Sequence, residues 1–551
     1  MIIARPHSPS SSDTARTSRG VERLLAAVAM LGGTAAWIVY FRADLVLSHY
    51  DAKAHLVVAR RVIDSLTPGW QQVGAVWLPL PHLLQLLPVQ IDLFYRTGAA
   101  GSFTSILCFG VTAYATARLV MAATGSHLGA VTSTAILALN PNLLYLQSTP
   151  MTEPLLLATT ALLVLWLFEW VQADSDVVPA RVGLVLFAAA WTRYEAWAVI
   201  GAALAAVVFT LWRQGVPLHA LVRRVSRLSA WPVAAVVIFL VNSRITVGSW
   251  FVSDGFYVAD PLYQAHAIRT LLAVWWGTHE LSGFAVEVVA SIAAVVSVAR
   301  AASKPADARM LIPVALFAAA ALPLYGFYEG HPYRIRYMIP LVFACAVFGG
   351  LAVGMTRRGG PFTGRDVGGS RGLSGGPGGP DMETMDARGG GAWVPRVGAA
   401  LAVLLMASVL VESPPWDRNA AMLVEAQWDR PFSVARRTVS ACLARGYRGD
   451  KILASMGSLA HYMQELSWDG FRIADFVHEG NGAIWRAAME SGPAPHAGWM
   501  LVEERAEGGD ILAARLRRDP AFARQMTRVC EGGGVALYKR DEVKGQASKV
   551  K

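Results

Sequence analysis

The chain has 551 residues, of which 54% are hydrophobic and only 16% are charged, whereas a soluble domain usually carries about a quarter charged residues. This composition excludes an ordinary soluble protein and predicts a polytopic membrane protein. The formal net charge is +10. In a membrane protein such an excess is typical of positive cytoplasmic loops, so we expect a lipid bilayer and no nucleic acid as partner.

Composition along the chain predicts five regions. They are a disordered basic cytoplasmic N-terminus, a transmembrane core, a Gly-rich flexible linker, a last transmembrane helix and an extracytoplasmic soluble α/β domain, at 1–23, 24–355, 356–392, 393–411 and 412–551. Eleven apolar segments are predicted to span the membrane. They are 24–40, 98–121, 128–146, 154–171, 181–192, 195–212, 230–243, 283–299, 310–327, 337–355 and 393–411. The fold class is therefore mainly α, with amphipathic helices in the first extracytoplasmic loop and a small C-terminal α/β domain.

The apolar run 181–212 has two interpretations. One long helix would bury Arg193 and Glu195 at bilayer depth, whereas two segments would place them at a turn near one surface. Positive-inside bias favours two segments, because the basic loops after residues 213, 300 and 357 then share the side of the basic N-terminus.

That topology predicts a multi-pass protein of the cell (inner or plasma) membrane with its N-terminus in the cytoplasm. It also brings the polar motifs to the outer side. They are Asp51 with His55, the stretch 140–153, the stretch 191–195 and the stretch 329–337. Structural polar loops would scatter over both faces, so the sequence predicts a single extracytoplasmic site.

The first outer loop, 44–88, carries the first motif. Asp51 and His55 are four residues apart and share a face if the segment is helical, with Lys53 between them. A carboxylate at the membrane boundary can take a proton from an acceptor hydroxyl as general base. The alternative is a solvated interfacial charge. The Pro-rich tail 77–84 is predicted to lie along the membrane as a cover for a lipid substrate.

Glu153 follows Thr152 and precedes Pro154 at a predicted helix start. Helix capping alone explains an acid at this position. The functional interpretation is a second carboxylate that faces the site. With Asp51 and His55 it is also a candidate ligand for a divalent cation.

Two further groups complete the candidate site. Arg193, Tyr194 and Glu195 lie between two spans, where Arg193 and Glu195 form either a local ion pair or part of the site. Arg334, Arg336 and Tyr337 precede a late span on the outer side, where cations run against the positive-inside tendency. Arginine donates two hydrogen bonds to phosphate, so these residues are predicted to bind phosphate, either in the site or on lipid headgroups.

The C-terminal region is predicted to contain strands at 451–455, 498–503 and 535–538, and helices at 433–445 and 509–517. Cys442 and Cys530 lie in this region. They form a disulfide if the region is extracytoplasmic, or else remain two unpaired thiols.

The segments YDAKAH at 50–55, PMTE at 150–153 and RIRY at 334–337 together resemble the polytopic glycosyltransferases of the GT-C superfamily that use lipid-phosphate sugars. The nearest likeness is to bacterial members of the protein O-mannosyltransferase and aminoarabinose-transferase-like group, over about residues 20–355. In this family the first outer loop carries the catalytic Asp, which matches Asp51. The acidic pair of the mannosyltransferases is absent, because Ala52 follows Asp51.

The resemblance implies an inverting transferase of the cell envelope. A polyprenyl-phosphate sugar would be the donor, and a glycan, lipid or protein outside the cytoplasm would be the acceptor. Asp51 would deprotonate the acceptor hydroxyl, and Arg334 and Arg336 would stabilise the departing phosphate together with Lys53 or Arg193.

Two other classes share parts of this pattern. A lipid or sugar transporter or flippase would also have many spans, but it predicts internal repeats and charges near mid-bilayer, whereas here the charges collect at one surface. A scaffold with an outer binding domain would leave the charged stretch around Asp51 unexplained.

Overall fold

The computed structural model of the chain describes residues 11–252, 257–356, 393–505 and 508–541. The first ten residues of the predicted N-terminal region, and all of the predicted Gly-rich linker beyond Thr356, lie outside the described residues. The described part is mainly α-helical, as predicted. The helices before the linker are α1 (Ser11–Arg42), α2 (Tyr50–Arg60), α3 (Leu80–Gln85), α4 (Asp92–Thr97), α5 (Ala99–Thr124), α6 (His127–Leu139), α7 (Pro141–Leu146), α8 (Glu153–Gln172), α9 (Ala180–Ala190), α10 (Glu195–Arg213), α11 (Leu218–Thr246), α12 (Ala267–Ser282), α13 (Phe284–Ser303), α14 (Leu311–Val314), α15 (Ala321–Tyr328) and α16 (Ile339–Met355). The helices after it are α17 (Trp393–Glu412), α18 (Ala421–Ala426), α19 (Arg430–Gly446), α20 (Met456–Leu466), α21 (Ala483–Ser491) and α22 (Ile511–Arg518).

Eight helical stretches among the described residues are long and apolar enough to cross a membrane, which makes the chain a multi-pass membrane protein. They are Gly20–Arg42, Ala99–Thr124, Glu153–Gln172, Glu195–Arg213, Leu218–Thr246, Phe284–Ser303, Pro305–Tyr328 and Ile335–Met355. Each overlaps a span predicted from the sequence. The remaining three predicted spans correspond to the shorter helices α6 and α9 and to α17.

The predicted span 128–146 is interrupted at Asn140, which ends α6 and begins α7. The side-chain oxygen of Asn140 accepts hydrogen bonds from the N–H groups of Asn142 and Leu143, and Pro141 occupies the first turn. Both residue types favour a helix N-terminus at these positions. The Asn140 amide also donates to the carbonyl oxygen of Leu281, at 2.7 Å, so the interruption is tied to the last turn of α12 at one end of the bundle.

The run 181–212 forms two helices, as predicted. Helix α9 ends at Ala190 and α10 begins at Glu195, so Arg193 lies at an end of the bundle and not inside a helix. The backbone N–H of Leu80, in the first loop, donates to the carbonyl oxygen of Trp191 at 3.0 Å. We call the end of the bundle that carries α2 and the starts of α8 and α10 the first-loop end.

Ion pairs between basic and acidic residues tie the helices together at the opposite end. Near the ends of α5 and α8, Arg118 donates to Glu169 at 2.8 Å. Near the start of α11, Arg224 donates to Asp176 at 2.7 Å. These pairs lie where the positive-inside argument expects basic loops.

Helices α6 and α16 cross closely. A Cβ added to Gly129 would lie 2.6 Å from the carbonyl oxygen of Gly350, and one added to Gly350 would lie 2.3 Å from the Cβ of Ser133. Small residues at a crossing let two helix backbones approach within a membrane. This contact holds α16, and with it the polar turn that precedes α16, firmly against the bundle.

The C-terminal domain contains a five-stranded mixed sheet in the order β2-β1-β3-β5-β4. The strands are β1 (Ile452–Ala454), β2 (Phe476–Val477), β3 (Trp499–Glu503), β4 (Met526–Gly532) and β5 (Val535–Arg540). Strand β1 pairs in parallel with β2 and β3, whereas β5 is antiparallel to β3 and β4. The three predicted strands and both predicted helices, which are α19 and α22, are present. Cys442 of α19 and Cys530 of β4 form a disulfide, which answers the question that the sequence left open.

Helix α2 is buried from both sides. Ala52 belongs to the apolar core of the bundle. Leu56 and Val57 belong to a second apolar cluster, which they share with Leu459 and Met463 of α20 in the C-terminal domain. The first loop is therefore held between the membrane bundle and the C-terminal sheet.

Candidate functional site

Asp51 lies in the first turn of α2, where the local sequence positions it. His49 is the N-cap residue, and its Nδ1 accepts a hydrogen bond from the Asp51 N–H at 3.1 Å. The Asp51 carboxylate is paired with Arg336, with 2.5 Å between Oδ2 and Nη1. Arg336 occupies the short 3₁₀ turn Ile335–Met338 that leads into α16. Two motifs that are 285 residues apart in the chain thus meet in one ion pair.

Burial by itself would raise the pKa of Asp51, but the adjacent guanidinium of Arg336 holds that pKa well below its usual range. Asp51 is therefore ionised at neutral pH. A carboxylate held in this way accepts hydrogen bonds readily, but it is a weak proton acceptor while the pair lasts.

Arg193 forms the centre of a second cluster. It pairs with Glu153 at 3.0 Å and with Glu195 at 2.6 Å. It also donates to the Thr152 hydroxyl at 2.8 Å. Thr152 makes no capping hydrogen bond to the start of α8, although Glu153 lies in the first turn and Pro154 follows it. The helix start and the pair with Arg193 therefore both account for an acid at this position. The local pair between Arg193 and Glu195 exists, and Glu153 extends it across two helices.

His55 connects the two clusters electrostatically. Burial and His82 lower the pKa of His55 well below its usual value, and Asp51, Arg193 and Arg336 all act on it. His55 is therefore neutral at pH 7 and lies among the charges of both clusters. Four of the predicted motifs converge here, at the first-loop end.

The Pro-rich tail of the first loop covers His55. Nδ1 of His55 lies 3.1 Å from Nε2 of His82, and the ring of Trp77 is centred 4.1 Å from the His55 ring. Burial, with a contribution from Arg61, lowers the pKa of His82 to about 3. The hydroxyl of Tyr194 donates to the carbonyl oxygen of Val76 at 2.9 Å, which fastens this cover to the turn between α9 and α10.

Three predicted site residues also contact residues outside the two clusters. Lys53 pairs with Glu465 of the C-terminal domain at 2.6 Å. The Arg334 guanidinium lies 5.6 Å from the centre of the Trp428 ring. The hydroxyl of Tyr337 lies 3.2 Å from Nε2 of His331.

Asp51, His55 and Glu153 do not form a metal site. Each has its own partner, and the part of the chain that the structure describes contains no group of three or more His, Cys, Asp or Glu side chains that could hold a metal ion. The divalent cation that the sequence left open as a cofactor thus has no ligand set among these residues.

Several buried polar atoms around the two clusters lack a hydrogen-bond partner. Among the described residues they include Nε of Arg336, Oε1 of Glu425 and Oε2 of Glu153. Unsatisfied buried polar atoms are rare in folded proteins. At this position they are available to a polar ligand.

Glu425, on α18, is a member of the site that the motifs did not indicate. Its Oε2 accepts a hydrogen bond from the Ile335 N–H at 2.9 Å, and its Oε1 lies 3.6 Å from Nε2 of His49. The only sequence signal for Glu425 is its position shortly after the last predicted span, which places it on the side of the predicted site.

Among known proteins, no family model and no curated sequence matches the chain.

Proposed function

We propose that the protein is an integral-membrane inverting glycosyltransferase of the GT-C type. It moves a sugar from a polyprenyl-phosphate donor to a glycan, lipid or protein acceptor outside the cytoplasm. The observation that carries the proposal is the buried contact between Asp51 and Arg336. The predicted general base, Asp51, and the predicted phosphate-binding residue, Arg336, are in contact. A reaction between an acceptor hydroxyl and a sugar phosphate requires these two groups next to each other.

The charges around the pair explain how the donor would be admitted. Four carboxylates, those of Asp51, Glu153, Glu195 and Glu425, are arranged around the guanidinium groups of Arg193 and Arg336. A phosphate can therefore bind only if it takes a guanidinium from a carboxylate. Arg336 is the suitable one, because its Nε is without a partner and a guanidinium donates two hydrogen bonds to phosphate.

Donor binding then activates the base. When the phosphate occupies Arg336, Asp51 loses its strongest cationic partner and its pKa rises toward the usual value. The carboxylate becomes a better proton acceptor at the moment when the anomeric carbon is in place. Without donor, Asp51 stays paired and weakly basic.

The transfer is a single displacement. The acceptor oxygen forms a bond to the anomeric carbon as the bond from that carbon to the phosphate oxygen breaks, which inverts the configuration. The hydroxyl proton goes to Asp51. The leaving phosphate keeps the bonding electrons, and Arg336 stabilises its charge.

The proposed topology has eleven spans, with the N-terminus in the cytoplasm and the first-loop end outside. Two observations support it. Basic residues tie the helices together at the opposite end, and the Cys442–Cys530 disulfide belongs in an oxidising compartment.

The first loop also has a surface suited to lipid. Leu84, Leu87 and Ile91, which follow the Trp77 cover, expose their apolar side chains, as expected of a surface that lies against lipid.

The test is sugar transfer in membrane vesicles, with candidate radiolabelled polyprenyl-phosphate sugars and the Asp51→Asn variant. Removal of a general base should lower kcat by about 10²–10⁴-fold. Asp44→Asn is the matched control, because Asp44 is an exposed carboxylate of the same loop at a φ of 58°, which Asn tolerates. Normal transfer by inserted Asp51→Asn would contradict the role of the base. Movement of intact labelled donor across the vesicle without transfer would indicate a flippase.

A further inference from the structure

The C-terminal domain reaches into the site through helix α18. Glu425 is 6% exposed, and burial, which favours the neutral acid, is outweighed by His49, Arg336 and Arg334, so its pKa is lowered. Helix α18 is fixed to the bundle as well, because the Met422 N–H donates to the side-chain oxygen of Asn142 at 3.0 Å. A charged carboxylate is thus delivered to the base of α2 from the far end of the chain.

The hydrogen bonds of His49 show what this carboxylate does. Nδ1 of His49 accepts the Asp51 N–H, and Nη1 of Arg336, which is a donor, lies 3.0 Å from Nε2. A neutral imidazole accepts at only one nitrogen. If Nδ1 caps α2, the proton is on Nε2, where it faces Oε1 of Glu425 at 3.6 Å, a distance of electrostatic attraction and not of a hydrogen bond. The charge of Glu425 therefore favours the tautomer of His49 that holds the first turn of α2.

A second contact fastens the same helix to the same domain. Lys53 of α2 pairs with Glu465, and Glu465 and Asp429 both pair with Arg436, at 2.7 and 2.6 Å. Arg436 is 1% exposed. The C-terminal domain thus contacts residues on both sides of Asp51, which are His49 and Lys53.

We infer that Glu425 is a positioning residue of the site, which sets Asp51 through the His49 cap and moderates the hold of Arg336 on Asp51. The C-terminal domain is then a working part of the site and not an appended module. This inference rests on the proposed function for its effect on transfer. The positioning of α2 is independent of that function.

The experiment compares Glu425→Gln and Glu425→Ala with Glu412→Gln in the detergent-solubilised full chain. Gln can still accept the Ile335 N–H but presents no charge, so it separates the charge from the backbone contact. Glu412 is the matched control, because it accepts the Phe284 N–H at 2.6 Å and the Ser408 hydroxyl at 2.6 Å at the same end of the bundle, away from Asp51.

The first readout is hydrogen–deuterium exchange in peptides that cover residues 45–60. Without the carboxylate, Nε2 of His49 can accept from Arg336, and Nδ1 then carries a proton and releases the Asp51 N–H. We expect faster exchange at the start of α2 in both Glu425 variants and no change in Glu412→Gln. Unchanged exchange in both Glu425 variants would overturn the positioning role, whatever the activity.

The second readout is transfer kinetics. In Glu425→Gln we expect kcat to fall about tenfold or more, while KM for the donor stays constant or falls, because Arg336 has lost a competing anion. Wild-type kcat in Glu425→Gln would overturn the inference, and a raised KM would indicate simple structural damage and do the same. If the wild type transfers no sugar but exchange changes as expected, the proposed function fails and the positioning role of Glu425 stands.

Discussion

At the residue scale, the proposed site contains a carboxylate, that of Asp51, which is held in an ion pair with Arg336. Asp51 is ionised because the charge of Arg336 outweighs the effect of burial. The same interactions that keep it charged reduce its basicity. The proposed reaction therefore requires a change of partner, which the incoming phosphate would supply.

This restraint predicts different pH profiles for kcat and kcat/KM. In the free protein the depressed pKa of Asp51 puts its protonation far below neutral pH, so kcat/KM should show no acid limb from Asp51 down to about pH 5. In the donor complex the pKa is higher, and kcat should fall at a higher pH than kcat/KM does. Steady-state transfer rates between pH 4.5 and 8 check this. Coincident acid limbs would contradict the exchange of partners.

The free energy of unfolding should also depend on the ionisation of Asp51. A carboxylate whose pKa is lower in the folded than in the unfolded state stabilises the fold above the unfolded pKa of about 3.9, and this contribution is lost as the pH falls through the folded pKa. Asp51→Asn should therefore weaken the fall in melting temperature that we expect of the wild type below about pH 4.

Individual site residues could be found from the sequence where a polar side chain stands next to an apolar run. Asp51, Glu153, Arg193 and Arg336 were identified in this way, and the structure brings them together. Glu425 and the partner of Lys53 could not be found, because each contact joins segments that are hundreds of residues apart. No local pattern encodes such a pairing.

At the element scale, α2 depends on the ion cluster formed by Lys53, Asp429, Arg436 and Glu465, which carries two positive and two negative charges. Removal of one member leaves a buried charge uncompensated, at a cost of about 3–5 kcal/mol for a fully buried pair. Arg436 makes four hydrogen bonds to the two carboxylates, whereas Lys53 makes one.

We therefore expect Arg436→Met to lower the melting temperature of the purified protein more than Lys53→Met. Arg445→Met, on the same helix but exposed, should leave the melting temperature unchanged. Equal losses from Lys53→Met and Arg436→Met would mean that the cluster is not organised around Arg436.

Helices and strands were predictable to the extent that their apolar pattern is long. The spans and the strands β1, β3 and β5 follow from such patterns. Strand β2 has two residues, and β4 exposes most of its side chains, so neither carries a signal of apolar burial. The break between α6 and α7 at Asn140 is not predictable from the apolar pattern, because the apolar run continues through it.

At the scale of the whole molecule, the proposed topology predicts the side of each end of the bundle. A reporter fused after Glu412 should be extracytoplasmic, and one fused within residues 357–392 should be cytoplasmic. An alkaline phosphatase fusion is active outside the cytoplasm, whereas a green fluorescent protein fusion is fluorescent inside it. Each position is tested with both reporters, so each has its own control. A cytoplasmic signal after Glu412 would mean that the number of spans is even.

The contact of Glu425 with His49 and Ile335 also has a consequence for biogenesis. Asp51 follows the first span, Arg336 opens a late one, and Glu425 emerges after the last. At a synthesis rate of about 5–20 residues per second, some 20–75 seconds separate Asp51 from Glu425. During that interval the inserted nascent chain lacks Glu425. With the proposed function, a chain that is cut before the last helix is translocated should therefore transfer no sugar, and transfer activity would itself report that synthesis was finished.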